Sequence, residues 1–356
     1  MGLSYRVSPF LSRLRGRVGC HNDLAHGAVR SWIIDPGRPS QRREALHDPA
    51  DLEHICGVVH DWHSIQDEID KIRGGPGHHA PAIAYELHGA VLSRGALFTP
   101  KLVYPLGAPT LPLLARRALR HIPRAVLAST GFGLKWFGHW LFDDLPLRLA
   151  AEEIGEPFSA LTQPSPHQRD YLGMIGAAPD GGDDVYFDKV IVLQDFAQND
   201  HKRRRHAEIR RRILRAAPPD PGAARRVMLL RGNSGQRRGL TNEPAIADAL
   251  RASGFAILDP MREPAAALVA ACANAEVLVG VEGSQLAHGI LAMRRGGTVI
   301  TLQPPSRFSS IWNSICDGVD VHYGFVVGRL EGAGTDFRID IDGLRRLIDR
   351  VPSASH

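Results

Sequence analysis

A histidine and an aspartate four residues apart, His139 and Asp143 in "WFGHWLFDDLP" (136–146), are a pair that could move a proton. On a helix that spacing puts imidazole and carboxylate on one face, where the carboxylate can orient the ring and poise a general base near neutrality. Asp144, the next residue, is the rival for the same role. The segment also reads as packing material: Trp136, Phe137, Trp140, Leu141 and Leu145 are apolar, Asp144 can cap a helix starting at Pro146, and His139 can be satisfied inside.

A different chemistry is offered by "VLVGVEGSQLAHGILAMRRGGTVITL" (277–302), which reads as strand, glycine turn, helix, Gly-Gly stop and strand. Gly280 and Gly283 let a ligand approach the backbone, and the amides from Gly283 to Gln285 with the helix dipole favour an anion. A carboxylate at Glu282 repels phosphate and suits ribose hydroxyls better. Ser284 and His288 share a helix face at i and i+4, so both can meet a diphosphate; the alternative is a capping serine and a partly buried histidine. In "LLRGNSGQRRGLTNE" (229–243), Arg231, Arg237 and Arg238 lie on a loop leaving an apolar strand, placed to bind a diphosphate bidentately. The alternative there is a solvated loop with one arginine paired to Glu243.

These residues need elements to hold them. From about 216 to 303 four apolar runs, 227–230, 255–259, 276–281 and 298–302, alternate with three helical stretches. Asn242 or Thr241 is the expected cap of the first and Gly254 its stop. Short connections between alternating strands and helices predict right-handed crossovers and a parallel, doubly wound sheet. Upstream, 125–130, 158–163 and 186–193 read as strands, with helices over about 137–154 and 167–177. Residues 201–217 read as a solvated basic helix, "GGPGHHAP" (74–81) as a turn or linker, and 82–100 as short β elements. The expected organisation is an N-terminal extension (1–80), an α/β domain (81–215), a Rossmann-like domain (216–330) and a C-terminal tail (331–356).

A hydrophobic share of 44% beside 23% charged residues is that of a globular chain rather than a disordered one. The surplus of 43 basic over 38 acidic residues suits a small anionic ligand as well as a polyanion. The basic helix has no interleaved aromatics and no single charged stripe, which argues against nucleic acid as partner. Cys20, Cys56, Cys272 and Cys316 have no paired spacing, so neither a zinc site nor a disulfide framework is expected. The first residues carry charge without an apolar core, so the expected location is cytoplasmic. Leu3, Val7, Phe10, Leu11, Leu14 and Val18 between arginines hint at peripheral attachment to the inner face of the membrane, although Pro9 interrupts a continuous helix.

Taken in order, "GHWLFDDLP", the arginine loop running into "TNE", "ILDP", "ANAEVLVGVEGSQLAHGIL" and "GGTVITL" resemble glycosyltransferase family 61 over roughly residues 130–303. The resemblance implies a GT-B fold of two Rossmann-like domains facing a cleft, with the donor bound by the C-terminal one. It implies an inverting transferase that needs no metal or other cofactor and moves a sugar from a nucleotide-sugar to a glycan hydroxyl, as in bacterial capsule-type polysaccharide assembly. The family usually has His-Gly-Ala in the phosphate turn, where this chain has Glu282-Gly283-Ser284. With that resemblance, His139, Asp143 and Asp144 are the candidates for the base. Arg231, Arg237, Gly283, Ser284 and His288 are those for the donor diphosphate, and Glu282 for the ribose. A non-catalytic nucleotide- or glycan-binding relative is the alternative.

Overall fold

The computed structural model describes residues 23–60, 62–107, 119–179, 181–232, 235–332 and 334–352. The arm from Leu3 to Val18, on which peripheral membrane attachment rests, and Cys20 lie outside them. The chain divides into two compact units, one running to Arg38 and including His79–Leu172 and Ala177–Arg205, the other comprising Pro39–His78, Gly173–Gly176 and His206–His356.

The first unit is built on a seven-stranded sheet. Its strands are β1 (Arg30–Asp35), β2 (Ala82–Ser93), β3 (Ala96–Phe98), β4 (Val103–Pro105), β5 (Arg120–Leu127), β6 (Pro157–Phe158) and β7 (Val185–Gln194), in the order β4-β3-β2-β7-β5-β6, with β1 on β2. Only β5 runs parallel to its neighbours β6 and β7; β2 is antiparallel to β1, β3 and β7. The expectation of two doubly wound domains therefore fails here, because the first sheet is mixed. Its hairpin explains why: Arg94 and Gly95 both take positive φ, 47° and 75°, the two-residue turn whose twist matches that of antiparallel strands. The short β elements expected over 82–100 are mainly one twelve-residue strand. Leu87, Leu92, Leu127, Phe187 and Val190 form its core.

The second unit carries the expected parallel sheet, enlarged by one strand. Its strands are β8 (Arg226–Leu229), β9 (Ala256–Leu258), β10 (Val277–Val281), β11 (Thr298–Gln303) and β12 (His322–Val327), in the order β9-β8-β10-β11-β12. Every residue of β10 is buried, as a strand covered on both faces must be. The helix Glu243–Ala252 buries Ile246, Ala247 and Leu250 against the sheet, and Gly254 ends it with φ 82°. Asn242 stands at its N-cap position but makes no capping bond: its side chain donates to the Ile339 carbonyl at 2.9 Å and accepts from the Ile339 amide at 3.2 Å.

That clamp ties down residues expected to be a tail. Ile341–Asp349 is a helix whose Leu344, Leu347 and Ile348 enter the same core as Met228, Val279 and Ile300. "GGPGHHAP" also differs from the linker expected: Gly75–His79 pairs with Arg38–Arg42 as a two-stranded ribbon.

Candidate functional site

In the first unit, β5 ends at Leu127 and its carboxyl end runs into a chain of short helical turns. Thr130 caps the helix Gly131–Lys135 by accepting from the Gly133 amide at 2.9 Å. Asp144 reaches back to it: Oδ1 accepts from the Thr130 amide at 2.9 Å and the Thr130 hydroxyl at 2.8 Å. Only glycine fits beneath this carboxylate, since a Cβ on residue 133 would stand 2.2 Å from its atoms. Burial, which leaves Oδ2 with no partner, and the neighbouring Asp143 charge push the Asp144 carboxyl well above its usual range, against the pull of its Thr130 bonds. Asp144 thus ties the turns together. It is the N-cap residue of the helix Leu145–Glu152 by position, but its side chain makes no capping bond there.

A π turn separates the two aspartates' tasks. Phe137–His139 is helical, Trp140–Asp144 widens, and the Leu145 amide closes the wide turn on the Trp140 carbonyl. Across it His139 Nδ1 lies 2.8 Å from Asp143 Oδ2, the predicted pair, while Asp143 Oδ1 accepts from Lys202 Nζ at 2.5 Å. With Nδ1 donating to the carboxylate, Nε2 carries the lone pair, and it has no hydrogen-bond partner among the described residues. The imidazole, 24% exposed, lies beside Phe132 and Trp136, with ring centroids 5.2 and 5.7 Å away. Burial raises the Asp143 carboxyl, but the Lys202 charge and the His139 hydrogen bond outweigh it and hold the group well below the carboxylate range.

Lys202 was not expected here. The helix Asp200–Ala216, read as solvated, buries Lys202, His206, Ile209 and Ile213 along one face, and Lys202 is 1% exposed. The Asn199 side chain accepts from the Lys202 amide at 2.8 Å, and Arg205 pairs with Asp195, whose carbonyl lies 3.3 Å from Lys202 Nζ. The periodicity of 202, 206, 209 and 213 was a usable signal, obscured by the surrounding arginines.

In the second unit, the turn after β10 is built around Arg231. Gly283 takes φ 154°, and a Cβ there would stand 1.7 Å from Arg231 Nη1. That guanidinium donates to the Gln285 side chain at 2.8 Å, the Glu282 carbonyl at 3.3 Å and the Gln236 carbonyl at 2.6 Å. Burial, then the Arg238 charge, lowers it to about 10. Glu243 anchors the backbone of the same loop, accepting from the Arg231 and Gly232 amides at 2.8 and 2.9 Å. Among the described residues the amides of Gly283, Ser284 and Gln285 meet no acceptor, and the helix Leu286–Ala292 starts just beyond them.

The other predicted residues divide. Glu282 is buried and its carboxylate receives Arg238 Nε at 2.8 Å, with the two side chains 9% and 8% exposed. Arg307, unnoticed in the sequence, is near enough for the Arg238 charge to lower it after burial does. Arg237 does not join this group: it is 80% exposed and holds Asp336 with two contacts of 2.9 and 2.8 Å. Ser284 is half-buried, the N-cap position falls to Gln285 without a side-chain bond, and His288 is enclosed at 1% exposure. Among the described residues no three histidines, cysteines or carboxylates are grouped to hold a metal, and no helix is long and apolar enough to cross a membrane.

Residues 137–300 match the family described as Glycosyltransferase 61, from the helical turn before His139 to the third residue of β11. No curated protein matches the chain.

Proposed function

From the premise that residues 137–300 are a glycosyltransferase 61 region, we propose that this protein is an inverting, metal-independent transferase moving a sugar from a nucleotide-sugar to a glycan hydroxyl in surface polysaccharide assembly. The observation that carries the donor half is the turn at 282–285, where three successive amides that meet no acceptor among the described residues adjoin the buried guanidinium of Arg231. Arg231, Arg238, Gly283 and Ser284 hold the diphosphate in this reading. Glu282 takes the ribose hydroxyls once Arg238 turns to phosphate. His288 supports the helix from within, and Arg237 closes over the loop only if it leaves Asp336.

His139 is the base, oriented by Asp143. The acceptor oxygen forms a bond to the anomeric carbon as its proton passes to Nε2, and the bond from that carbon to the diphosphate oxygen breaks with its electron pair leaving on the nucleotide. The guanidiniums and amides of the turn stabilise that developing charge, so no metal is assigned a role. Asp144 is excluded as base in this reading because its carboxyl is enclosed and committed to Thr130. A non-catalytic nucleotide-binding protein is the second reading, favoured by the Glu282–Arg238 pair that already occupies the turn.

The test is thermal stabilisation by UDP, GDP, CMP and their sugar conjugates in EDTA. One nucleotide is expected to raise Tm selectively, with the response retained in His139→Gln and lost in Arg231→Lys. No response to any of them in folded protein sinks the donor site. Nucleotide response without sugar transfer to any glycan tested favours the second reading.

A further inference from the structure

The proton-transfer pair is not a pair. Asp143 divides its two oxygens between His139 and Lys202, and Lys202 reaches it from inside the protein at 1% exposure. Holding a lysine there is expensive unless its charge is used, because a buried ammonium loses hydration that one carboxylate and one carbonyl replace only in part. Besides His206, one turn along the same buried face, the groups around it have other tasks. Asp195 is committed to Arg205, Asn199 caps the helix, Asp144 turns to Thr130, and Phe132 and Trp136 flank the imidazole without charge.

We infer that Lys202 is a positioning residue of the base: it pins the Asp143 carboxylate from the side opposite His139 and, by offsetting its charge, sets the pH range in which Nε2 is free to accept a proton. An unopposed carboxylate beside an imidazole favours the protonated ring and withholds the base at neutral pH. An ammonium on the other oxygen keeps the orienting hydrogen bond while cancelling much of that bias. Removing Lys202 leaves Asp143 with His139 as its one side-chain partner among the described residues, so the ring holds its proton to higher pH.

The inference rests on the base assignment only for its kinetic arm; its primary test needs no substrate. In full-length protein labelled with [13C]histidine, the His139 signal is identified by its loss in His139→Gln and titrated against pH. Lys202→Met is expected to raise the His139 midpoint, as loss of a nearby cation does. Lys202→Arg is expected to leave it near wild type. An unmoved midpoint in folded Lys202→Met overturns the inference. If that variant does not fold, Asp143→Asn is compared with the double variant Asp143→Asn/Lys202→Met, which removes the ion pair as a unit. The double variant must titrate higher than the single one, and equal midpoints overturn the inference equally. In the kinetic arm, the acid limb of kcat/KM moves up by the same amount in Lys202→Met. A merely structural lysine lowers the rate without moving that limb. A shifted midpoint in a protein that transfers no sugar leaves the inference standing and removes the base assignment instead.

Discussion

Two carboxylates, the partly buried Asp143 in the first unit and the buried Glu282 in the second, each have a cation against them, and they differ in what is left over. Asp143 takes Lys202 on one oxygen and His139 on the other, and the imidazole it orients retains a nitrogen unengaged among the described residues. Glu282 takes Arg238, and the adjoining Arg231 spends Nη1 and Nη2 on Gln285, Glu282 and Gln236, while its buried Nε has no partner among the described residues. In the proposed reading the first cluster needs no rearrangement to exchange a proton. The second offers amides that meet no acceptor among the described residues, but guanidiniums already partly engaged, so an anion there must compete with hydrogen bonds inside the protein. Proton chemistry tolerates a rigid site, whereas recognition of a large anion here requires partners to be exchanged.

The largest effect expected from this contrast is at His139. Replacing it with glutamine should lower transfer by about 10²–10⁴-fold, the range of a lost general base, with the nucleotide-induced rise in Tm unchanged. Loss of both in the folded variant would break the division of labour. Next come the two glycines that carry the clusters. Gly283→Ala drives a Cβ into Arg231 at positive φ and should cost roughly 2–4 kcal/mol in denaturant unfolding while abolishing the nucleotide response. Gly133→Ala meets the Asp144 carboxylate and should cost about 1–3 kcal/mol while leaving that response intact.

Asp144 gives a pH signature. Its folded value lies above its unfolded one, so its contribution is favourable below about pH 4 and is lost as pH rises through the folded value. Asp144→Asn keeps an acceptor for Thr130 and should therefore melt higher than wild type at pH 8, by on the order of 2–4 °C. The gap should close toward pH 4, and a gap that widens on acidification would show the carboxylate to be stabilising. The smallest effect is at Arg237: its pair with Asp336 is exposed, so Arg237→Ala should change stability by less than about 0.5 kcal/mol. A large loss of nucleotide response there would place Arg237 in the donor site after all.

The parallel sheet was legible because its strands are short apolar runs separated by Gly and Pro punctuation, and a strand such as β10 buried on both faces leaves little else for its residues to be. The first sheet was not, because strand direction depends on which strands meet, and an apolar run does not carry its partner's identity. The helix at 341–349 has Leu344, Leu347 and Ile348 at helical spacing, but its place in the core depends on Asn242 a hundred residues earlier. Within the sites, the i, i+4 relation of His139 and Asp143 survived into the structure because it is local. Arg237 and Arg238 are adjacent in an irregular loop, and only the tertiary positions of Asp336 and Glu282 decide which of them faces inward.

The π turn at Trp140–Asp144 has a consequence for how this segment can change over time. A π turn is an α turn with one residue more, and that residue sends adjacent aspartates to different partners. Deleting one residue between His139 and Asp143 would let an ordinary α turn close there with the downstream chain near its present direction, and would remove the widening that sends the two carboxylates to different partners. The apolar residues of the segment can be exchanged for others of similar volume. Its length is tied to the widened turn that gives Asp143 to His139 and Asp144 to Thr130.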